Sequence, residues 1–238
     1  MYHDDLAYIQ HHGFADFAKA ASPGLLAMFR RAGITRGHVL DLGCGDGTWL
    51  REVTARGFTA TGVDRSPELV KYARTQARAA TVRSGSLHQM TFPGCDVITA
   101  LGEVLSYLPP GVSRPRSLGP VFRRAYQALG PGGLFVFDLL VAGPPLSYLT
   151  WRAGKTWAVL ARVEEQRQTL TRDIVTFRKI RGHYRRGEEH HRLSVLRPQS
   201  VLADLRRAGF VARTARGYGR FTLPVRRLAF IAQKRVLP

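Results

Sequence analysis

Three groups of residues in this 238-residue chain have types and spacings that do chemistry. The first is Val39-Leu40-Asp41-Leu42-Gly43-Cys44-Gly45-Asp46-Gly47-Thr48, an apolar run that breaks into a G-x-G-x-G loop. Glycine at Gly43, Gly45 and Gly47 lets the backbone take positive φ and lets a ligand approach with no Cβ in the way. Further on, Ala60-Thr61-Gly62-Val63 ends on an acid, Asp64, followed by Arg65. In an open parallel α/β sheet, ligands sit beyond the carboxyl ends of the strands, so an acid there can accept hydrogen bonds from two ribose hydroxyls. A dinucleotide loop wants a glycine where this chain has Thr48, and a phosphate loop wants Gly-Lys-Ser/Thr, which is absent.

The second group is Leu101-Gly102-Glu103-Val104-Leu105-Ser106-Tyr107, at the end of a later apolar run. Glu103 suits charge balance, a general base or a helix cap, and Tyr107 suits a reaction centre or the core. The third is Arg185-Arg186-Gly187-Glu188-Glu189-His190-His191-Arg192-Leu193. On an alternating strand Glu189 and His191 share one face, which makes them an acid–base or orienting pair, or else part of a solvated edge. The adjacent histidines point to opposite faces with no third ligand nearby, so no metal site is expected.

Positioning these groups requires strands alternating with helices. Strand-like runs fall at 39–42, 59–63, 81–82, 96–100 and 134–140, and helical stretches at 67–79 and 118–129. The cluster Gly130-Pro131-Gly132-Gly133 predicts a turn before the fifth strand. This alternation predicts a doubly wound, mostly parallel sheet with helices on both faces. Residues 5–33 carry helical spacing, with Phe14, Phe17, Leu25, Leu26 and Phe29 inward. Residues 156–196 alternate and predict a two- or three-stranded antiparallel insertion with its hairpin turn at Arg185-Arg186-Gly187. A helix over 198–208 and strands over 210–214 and 226–233 close the chain. One domain is expected: a helical lid over 1–33, a core over 34–141, an insertion over 150–197 and a closing segment over 198–238.

Asp41-Leu42-Gly43-Cys44-Gly45-Asp46-Gly47 and the acid Asp64 resemble the first motif and second-strand acid of class I S-adenosylmethionine-dependent methyltransferases. The resemblance implies a Rossmann-like α/β fold with a seven-stranded sheet closed by an antiparallel strand pair. It also implies S-adenosylmethionine as cofactor and S-adenosylhomocysteine as product. By the same resemblance Asp41, Gly43, Cys44, Gly45 and Gly47 carry the methionine part, Asp64 and Arg65 the ribose end, and Leu101, Gly102 and Glu103 the region beside the sulfonium. Many family members place Gly-Asp and an apolar residue after the third strand, the acid reaching adenine. Here Arg83-Ser84-Gly85-Ser86-Leu87 has Ser86 in the acid's place, with Leu87 as the adenine neighbour. Family members acting on small molecules, amino sugars among them, carry a Glu-x-His strand near the substrate, and an N-terminal helix that folds over the cofactor. This points to Tyr8 and His12 as cofactor contacts, and to Asp138 as a residue facing the cleft.

The net charge of +19 raises a nucleic-acid substrate as an alternative. Of the 36 basic residues 31 are arginine, scattered through every segment, which favours a compositional origin. After the fourth strand the chain reads Gly102-Glu103-Val104-Leu105 rather than the Asp/Asn-Pro-Pro-Tyr/Phe of adenine N6 enzymes. Lysine, central to ribose 2′-O transfer, is scarce. The expected function is methyl transfer to oxygen or nitrogen of a small-molecule acceptor, with a non-catalytic cofactor-binding protein as a further alternative. Two cysteines, an acidic start at Met1-Tyr2-His3-Asp4-Asp5 and no long apolar run predict a reduced cytoplasmic protein without signal peptide or membrane contact. The exposed hairpin allows pairing with a second copy as a homodimer.

Overall fold

The computed structural model describes residues 2–109, 111–112 and 117–236. Seven strands form the central sheet: β1 (His38–Leu42), β2 (Thr59–Asp64), β3 (Thr81–Ser84), β4 (Cys95–Ala100), β5 (Leu129–Leu140), β10 (Phe210–Ala215) and β13 (Arg227–Lys234). Their spatial order is β10-β13-β5-β4-β1-β2-β3; the first five in sequence and β10 run the same way, and β13 between β10 and β5 runs antiparallel to both. Strand order reverses between β1 and β4, and ligand sites of open α/β sheets form at such a point. The central strands are buried on both faces, which is why 39–42 and 134–140 read as continuous apolar runs rather than alternating ones.

Helices α2 (Asp16–Arg31), α3 (Thr48–Thr54) and α4 (Pro67–Gln76) cover one face of the sheet, and α5 (Gly119–Ala128) and α6 (Pro198–Arg207) the other. Ser66 caps α4, its hydroxyl accepting from Leu69 N–H at 3.2 Å, and Pro67 sits at the first helical position, where its missing N–H costs nothing. Phe122, Phe135, Phe137 and Phe230 pack fully buried on the second face. Each contributes about 1.5–3 kcal/mol by leaving water.

Four further strands, β6 (Ser147–Gly154), β7 (Trp157–Gln166), β8 (Thr169–Ile180) and β9 (His183–Ser194), form a separate antiparallel sheet in that order. The sequence predicts two or three strands beginning later, because the exposed β6 lacks a clean apolar alternation. The hairpin turn also differs from expectation. It lies at Arg181-Gly182, whose φ values of 49° and 90° suit a tight two-residue turn, while Arg185, Arg186 and Gly187 run inside β9. Gly187 is needed for room rather than for turning, since a Cβ there would meet Thr176 Oγ1 at 2.7 Å. Similarly, Gly130-Pro131-Gly132-Gly133 is a bulge within β5 rather than a turn before it, the register slipping between the Cys95–Leu129 and Val97–Leu134 pairs. A short pair, β11 (Gly217–Tyr218) and β12 (Phe221–Thr222), completes the strands described.

The N-terminal helix divides at Phe14-Ala15 into α1 (Asp4–Gly13) and α2. Helix α1 is held to the four-stranded sheet by Leu6 and Ile9 packing against Trp157, Val159 and Ile174. Asp5 accepts from Arg185 Nε at 2.7 Å, and Asp4 from Arg178 at 3.2 Å. Its other attachments reach the central sheet. His11 Nδ1 meets Asp46 Oδ2 at 2.8 Å, and the Tyr2 carbonyl accepts from Ser66 Oγ at 2.6 Å. The helix thus bridges the glycine loop and the second sheet. No described helix is long and apolar enough to cross a membrane.

Gly47 begins α3 at φ 82°, and a Cβ there would lie 2.8 Å from the Ala73 Cα of α4. Gly47→Ala is expected to cost about 2–4 kcal/mol, adding left-handed strain to overpacking. A fall of roughly 4–16 °C in the thermal midpoint follows for a chain of this size. A midpoint unchanged from wild type would show that α3 and α4 yield freely.

Candidate functional site

A cleft of about 1020 Å³ opens at the carboxyl ends of β1, β2 and β4, under α1 and the inner face of the second sheet. At one end, the β1 loop turns through three positive-φ glycines, Gly43, Gly45 and Gly47. They differ in purpose. A Cβ on Gly43 would strike the Val104 side chain at 2.5 Å, whereas one on Gly45 would meet nothing within 4 Å and would stand in the open cleft. The Gly45 N–H donates to Asp64 Oδ2 at 2.9 Å, and Ser66 N–H to Oδ1 at 2.8 Å. These bonds fix the acid at the tip of β2 beside the loop. Burial raises the Asp64 carboxyl above its usual range, against those two backbone bonds.

Asp41 lies beneath the loop, buried, and accepts from Thr99 Oγ1 at 2.7 Å, which in turn accepts from Trp49 Nε1 at 3.0 Å. Burial pushes its carboxyl up to about 7, outweighing the Thr99 bond. Asp46 is spent on structure: Oδ1 accepts from Thr48 N–H and Oγ1, and Oδ2 meets His11.

At the end of β4, Gly102 and Glu103 both take left-handed φ, 88° and 64°. Glutamate there costs about 1–2 kcal/mol. The compensation is Asp138, fully buried on β5, which accepts from Gly102 N–H at 2.8 Å and Glu103 N–H at 3.0 Å. Tyr218 Oη at 2.7 Å and Arg227 Nε at 3.0 Å also donate to it. The Glu103 side chain caps no helix. It receives Arg172 at 2.9 Å and lies 3.9 Å from Arg227. Two buried acids and two half-buried arginines therefore alternate in sign from Asp138 through Arg227 and Glu103 to Arg172. Burial alone would lower the Arg172 and Arg227 values; Glu103 chiefly for the first, and Asp138 for the second, more than reverses this.

The far end belongs to β9. His191 Nε2 faces Glu189 Oε2 at 2.8 Å, and His3 N–H donates to Glu189 Oε1 at 2.8 Å. A carboxylate only accepts, so Nε2 carries the proton. His191 Nδ1 is buried and has no hydrogen-bond partner. The rings of Tyr2 and Tyr107 flank His191 at 5.2 and 5.6 Å between centroids, and their hydroxyls lie 3.2 Å apart. Burial, with Tyr107 next, raises the Tyr2 phenol well above its ordinary value.

Comparison with known proteins gives this geometry a family. Residues 39–133 match the methyltransferase domain model. The ubiquinone biosynthesis O-methyltransferase of Pseudomonas aeruginosa is 32% identical over 157 residues, covering 63% of this chain and 60% of its own. The fold is shared with an S-adenosylmethionine-dependent methyltransferase from Clostridium acetobutylicum (TM-score 0.81, 15% identity, 96% of this chain and 97% of that one). It is also shared with the sugar N-methyltransferase KedS8 from Streptoalloteichus (TM-score 0.81, 17% identity, 99% and 95%). Over residues 39–133 the chain is similar to a methyltransferase domain. The chain spans about half to three-fifths of the length of the relatives it matches by sequence.

The cofactor of class I methyltransferases is S-adenosylmethionine, and the cleft fits it. The open space over Gly45 and Gly102, neither of which a Cβ would crowd, leaves backbone accessible to a ligand. Asp64 and Asp41 are the two acids beside the loop, the first held by two backbone N–H groups and the second buried beneath it. Of the residues expected from sequence, Asp41, Gly43, Cys44, Gly45, Asp64, Arg65, Leu87, Leu101, Gly102, Glu103, Tyr107 and His191 line this cleft. Gly47 does not, being turned against α4. Ser86 does not either; its hydroxyl accepts from His88 N–H at 3.3 Å, and its neighbours Gly85 and Leu87 line the wall instead. Tyr8 and His12 pack against each other, their rings tilted, on the face of α1 away from the cleft, with Tyr8 Oη 3.2 Å from Thr156 Oγ1 and Arg178 over its ring. The lining residues of that segment are Tyr2, Leu6, Gln10 and Phe14, which follow the helix's other face. Arg172, Arg227, Tyr2 and Tyr218 escape sequence reasoning, because no local spacing links them to the glycine loop.

A carboxyl raised to about 7 from an ordinary 3.8 favours its neutral form. In the free protein this contributes stability below pH 4 that is lost as pH rises to about 7, at most about 4 kcal/mol. A cationic cofactor prefers the ionised form. Calorimetric affinity for S-adenosylmethionine is therefore expected to climb roughly tenfold as pH passes through 7, about 1.4 kcal/mol. Asp41→Asn should abolish the climb and bind more weakly above it. A slope unchanged in Asp41→Asn would exclude Asp41 as its source. Asp64→Ala should lose affinity at every pH.

Proposed function

We propose that the protein transfers the methyl group of S-adenosylmethionine to an oxygen or nitrogen of a small-molecule acceptor. The observation carrying this reading is the single cleft with two chemically distinct ends. One is a glycine loop with two acids suited to the cofactor; the other holds His191, Tyr2 and Tyr107, with Glu189 bonded to His191 but not on the cleft wall. Its volume sits at the upper end of the ~300–1,000 Å³ common for small-molecule sites, room for a cofactor with an acceptor.

The cofactor, when bound, supplies an activated methyl group. The chain's own residues align the acceptor with it, which is worth up to about 7–11 kcal/mol of the barrier. The walls of α1 and the second sheet exclude water. Asp138 holds the Gly102-Glu103 backbone in place. His191, its Nε2–H tied to Glu189, presents Nδ1 as a proton acceptor for an acceptor molecule that arrives protonated. Glu103 balances charge rather than serving as a base, since two arginines neutralise it. The names of the similar proteins, a ubiquinone O-methyltransferase and a sugar N-methyltransferase, support a small-molecule acceptor.

His191→Ala should cut turnover roughly 10²–10⁴-fold while calorimetric affinity for S-adenosylmethionine stays near wild type. Glu189→Gln should lower it less and alter the pH profile. Normal turnover in His191→Ala would make the pair structural. The charge of +19 keeps nucleic acid as the rival acceptor. Binding of RNA or DNA that falls steeply with salt, together with methylation of that RNA or DNA, would favour the rival.

A further inference from the structure

The acceptor end of the cleft carries a charge arrangement that discriminates among acceptor classes, and this step rests on the transferase reading above. In the antiparallel register of β8 and β9, Arg172 stands opposite His191, and Ile174 opposite Glu189. Side chains paired this way share a face, here the inner one. Arg172 and His191 are thus neighbours, with the Tyr2 and Tyr107 hydroxyls beside them. The carboxylates facing this spot are both engaged. Glu103 is paired with Arg172 and Arg227, and Glu189 receives His191 Nε2–H and His3 N–H. What remains for an acceptor is the rest of the Arg172 guanidinium, one nitrogen of which is held by Glu103, and the unpartnered lone pair of His191 Nδ1.

We propose that the acceptor is a weakly acidic hydroxyl of the phenol or enol class, received between the Arg172 guanidinium and His191 Nδ1. An ammonium-bearing acceptor would find no carboxylate to spare and a guanidinium that repels it. A carboxylate acceptor would suit Arg172 but needs no base, and it would meet the Nδ1 lone pair, which repels it. A hydroxyl satisfies both groups: its O–H donates to Nδ1, and the negative charge that grows on oxygen faces Arg172. An ordinary alcohol is too weak an acid for imidazole, whereas a phenol, near the tyrosine value of about 10, is within reach. The inner face of the second sheet, with Val159, Ala161, Val163 and Ile174, offers an apolar wall to a flat carbon skeleton.

The step balances. The hydroxyl proton passes to His191 Nδ1, giving an imidazolium whose Nε2–H stays on Glu189. The oxygen electron pair forms the O–CH₃ bond as the S–CH₃ bond breaks. The sulfonium leaves with that electron pair as the neutral thioether S-adenosylhomocysteine. An orphaned buried acceptor such as Nδ1 is unfavourable in the free protein, a cost the acceptor hydroxyl removes on binding.

The test uses the full chain loaded with S-adenosylhomocysteine and titrated with 4-nitrophenol near about pH 6, where the free phenol is mostly protonated. The expected result is the absorbance of bound nitrophenolate, lost in His191→Gln and in Arg172→Gln while both variants keep calorimetric affinity for S-adenosylhomocysteine. 4-Nitroaniline and 4-nitrobenzoate should compete for the site at least about tenfold more weakly, a wild-type comparison that needs no variant to fold. With S-adenosylmethionine, methyl transfer to phenols should exceed transfer to amines and carboxylates of the same skeleton. His191→Gln should suffer most with the least acidic phenols and be partly rescued by phenols already ionised. A nitrophenolate signal without any methyl transfer would uphold the hydroxyl site and sink the transferase reading. Preferred transfer to amines or carboxylates would uphold the transferase and sink the hydroxyl. No bound nitrophenolate in the wild-type protein overturns the proposal outright.

Discussion

The carboxylate of Asp138 is the point on which this structure turns. It is fully buried on β5 and accepts from two backbone N–H groups, a tyrosine hydroxyl and an arginine. A buried carboxylate is tolerable only when its lone pairs are engaged, and here the donors come from three separate parts of the chain. Gly102 and Glu103 follow β4, Tyr218 lies on β11, and Arg227 begins β13. Their convergence holds the turn after β4 in a left-handed conformation that glutamate would otherwise resist. That turn sets one wall of the cleft.

The same network reaches the second sheet. Glu103, held by its own backbone, presents its side chain to Arg172 on β8. One run of alternating charges therefore ties the cofactor-binding core to the sheet carrying His191. Helix α1 makes the second tie, with Asp4 and Asp5 on Arg178 and Arg185, and His11 on Asp46 of the glycine loop. The two ties act on different sides of the cleft. The surplus of arginine that dominates the composition is in part used internally, since Arg172, Arg178, Arg185, Arg226 and Arg227 all pair with acids.

Much of the core was legible in the sequence because its signals are local. The run Val39–Leu42 followed by three spaced glycines reads as strand, turn and helix without reference to anything distant, and Asp64 follows from the next strand's length. Seven strands and their closing antiparallel pair follow from alternation with helices and a family resemblance. The pairing of Glu189 with His191 follows from the period of two along a strand. Other readings went astray where two local signals competed. Arg185-Arg186-Gly187 and Arg181-Gly182 both look like turns, and only the pairing of Ile180 with His183 separates them. Tyr8 and His12 sit on a helix whose two faces are both largely covered, so composition could not say which faces the cleft.

The chain by itself determined the glycine loop, the acids Asp41 and Asp64, and the parallel sheet that places them together. In each case a few neighbouring residues dictate backbone conformation through sterics and burial. Only the tertiary structure decided which side chains gather at the β9 end of the cleft. Tyr2, Glu103, Arg172 and His191 come from segments far apart in sequence, and their meeting depends on the register of an antiparallel sheet and the docking of α1. Charges so placed reveal their partners only in three dimensions, because electrostatic pairing follows distance in space and leaves no period along the chain.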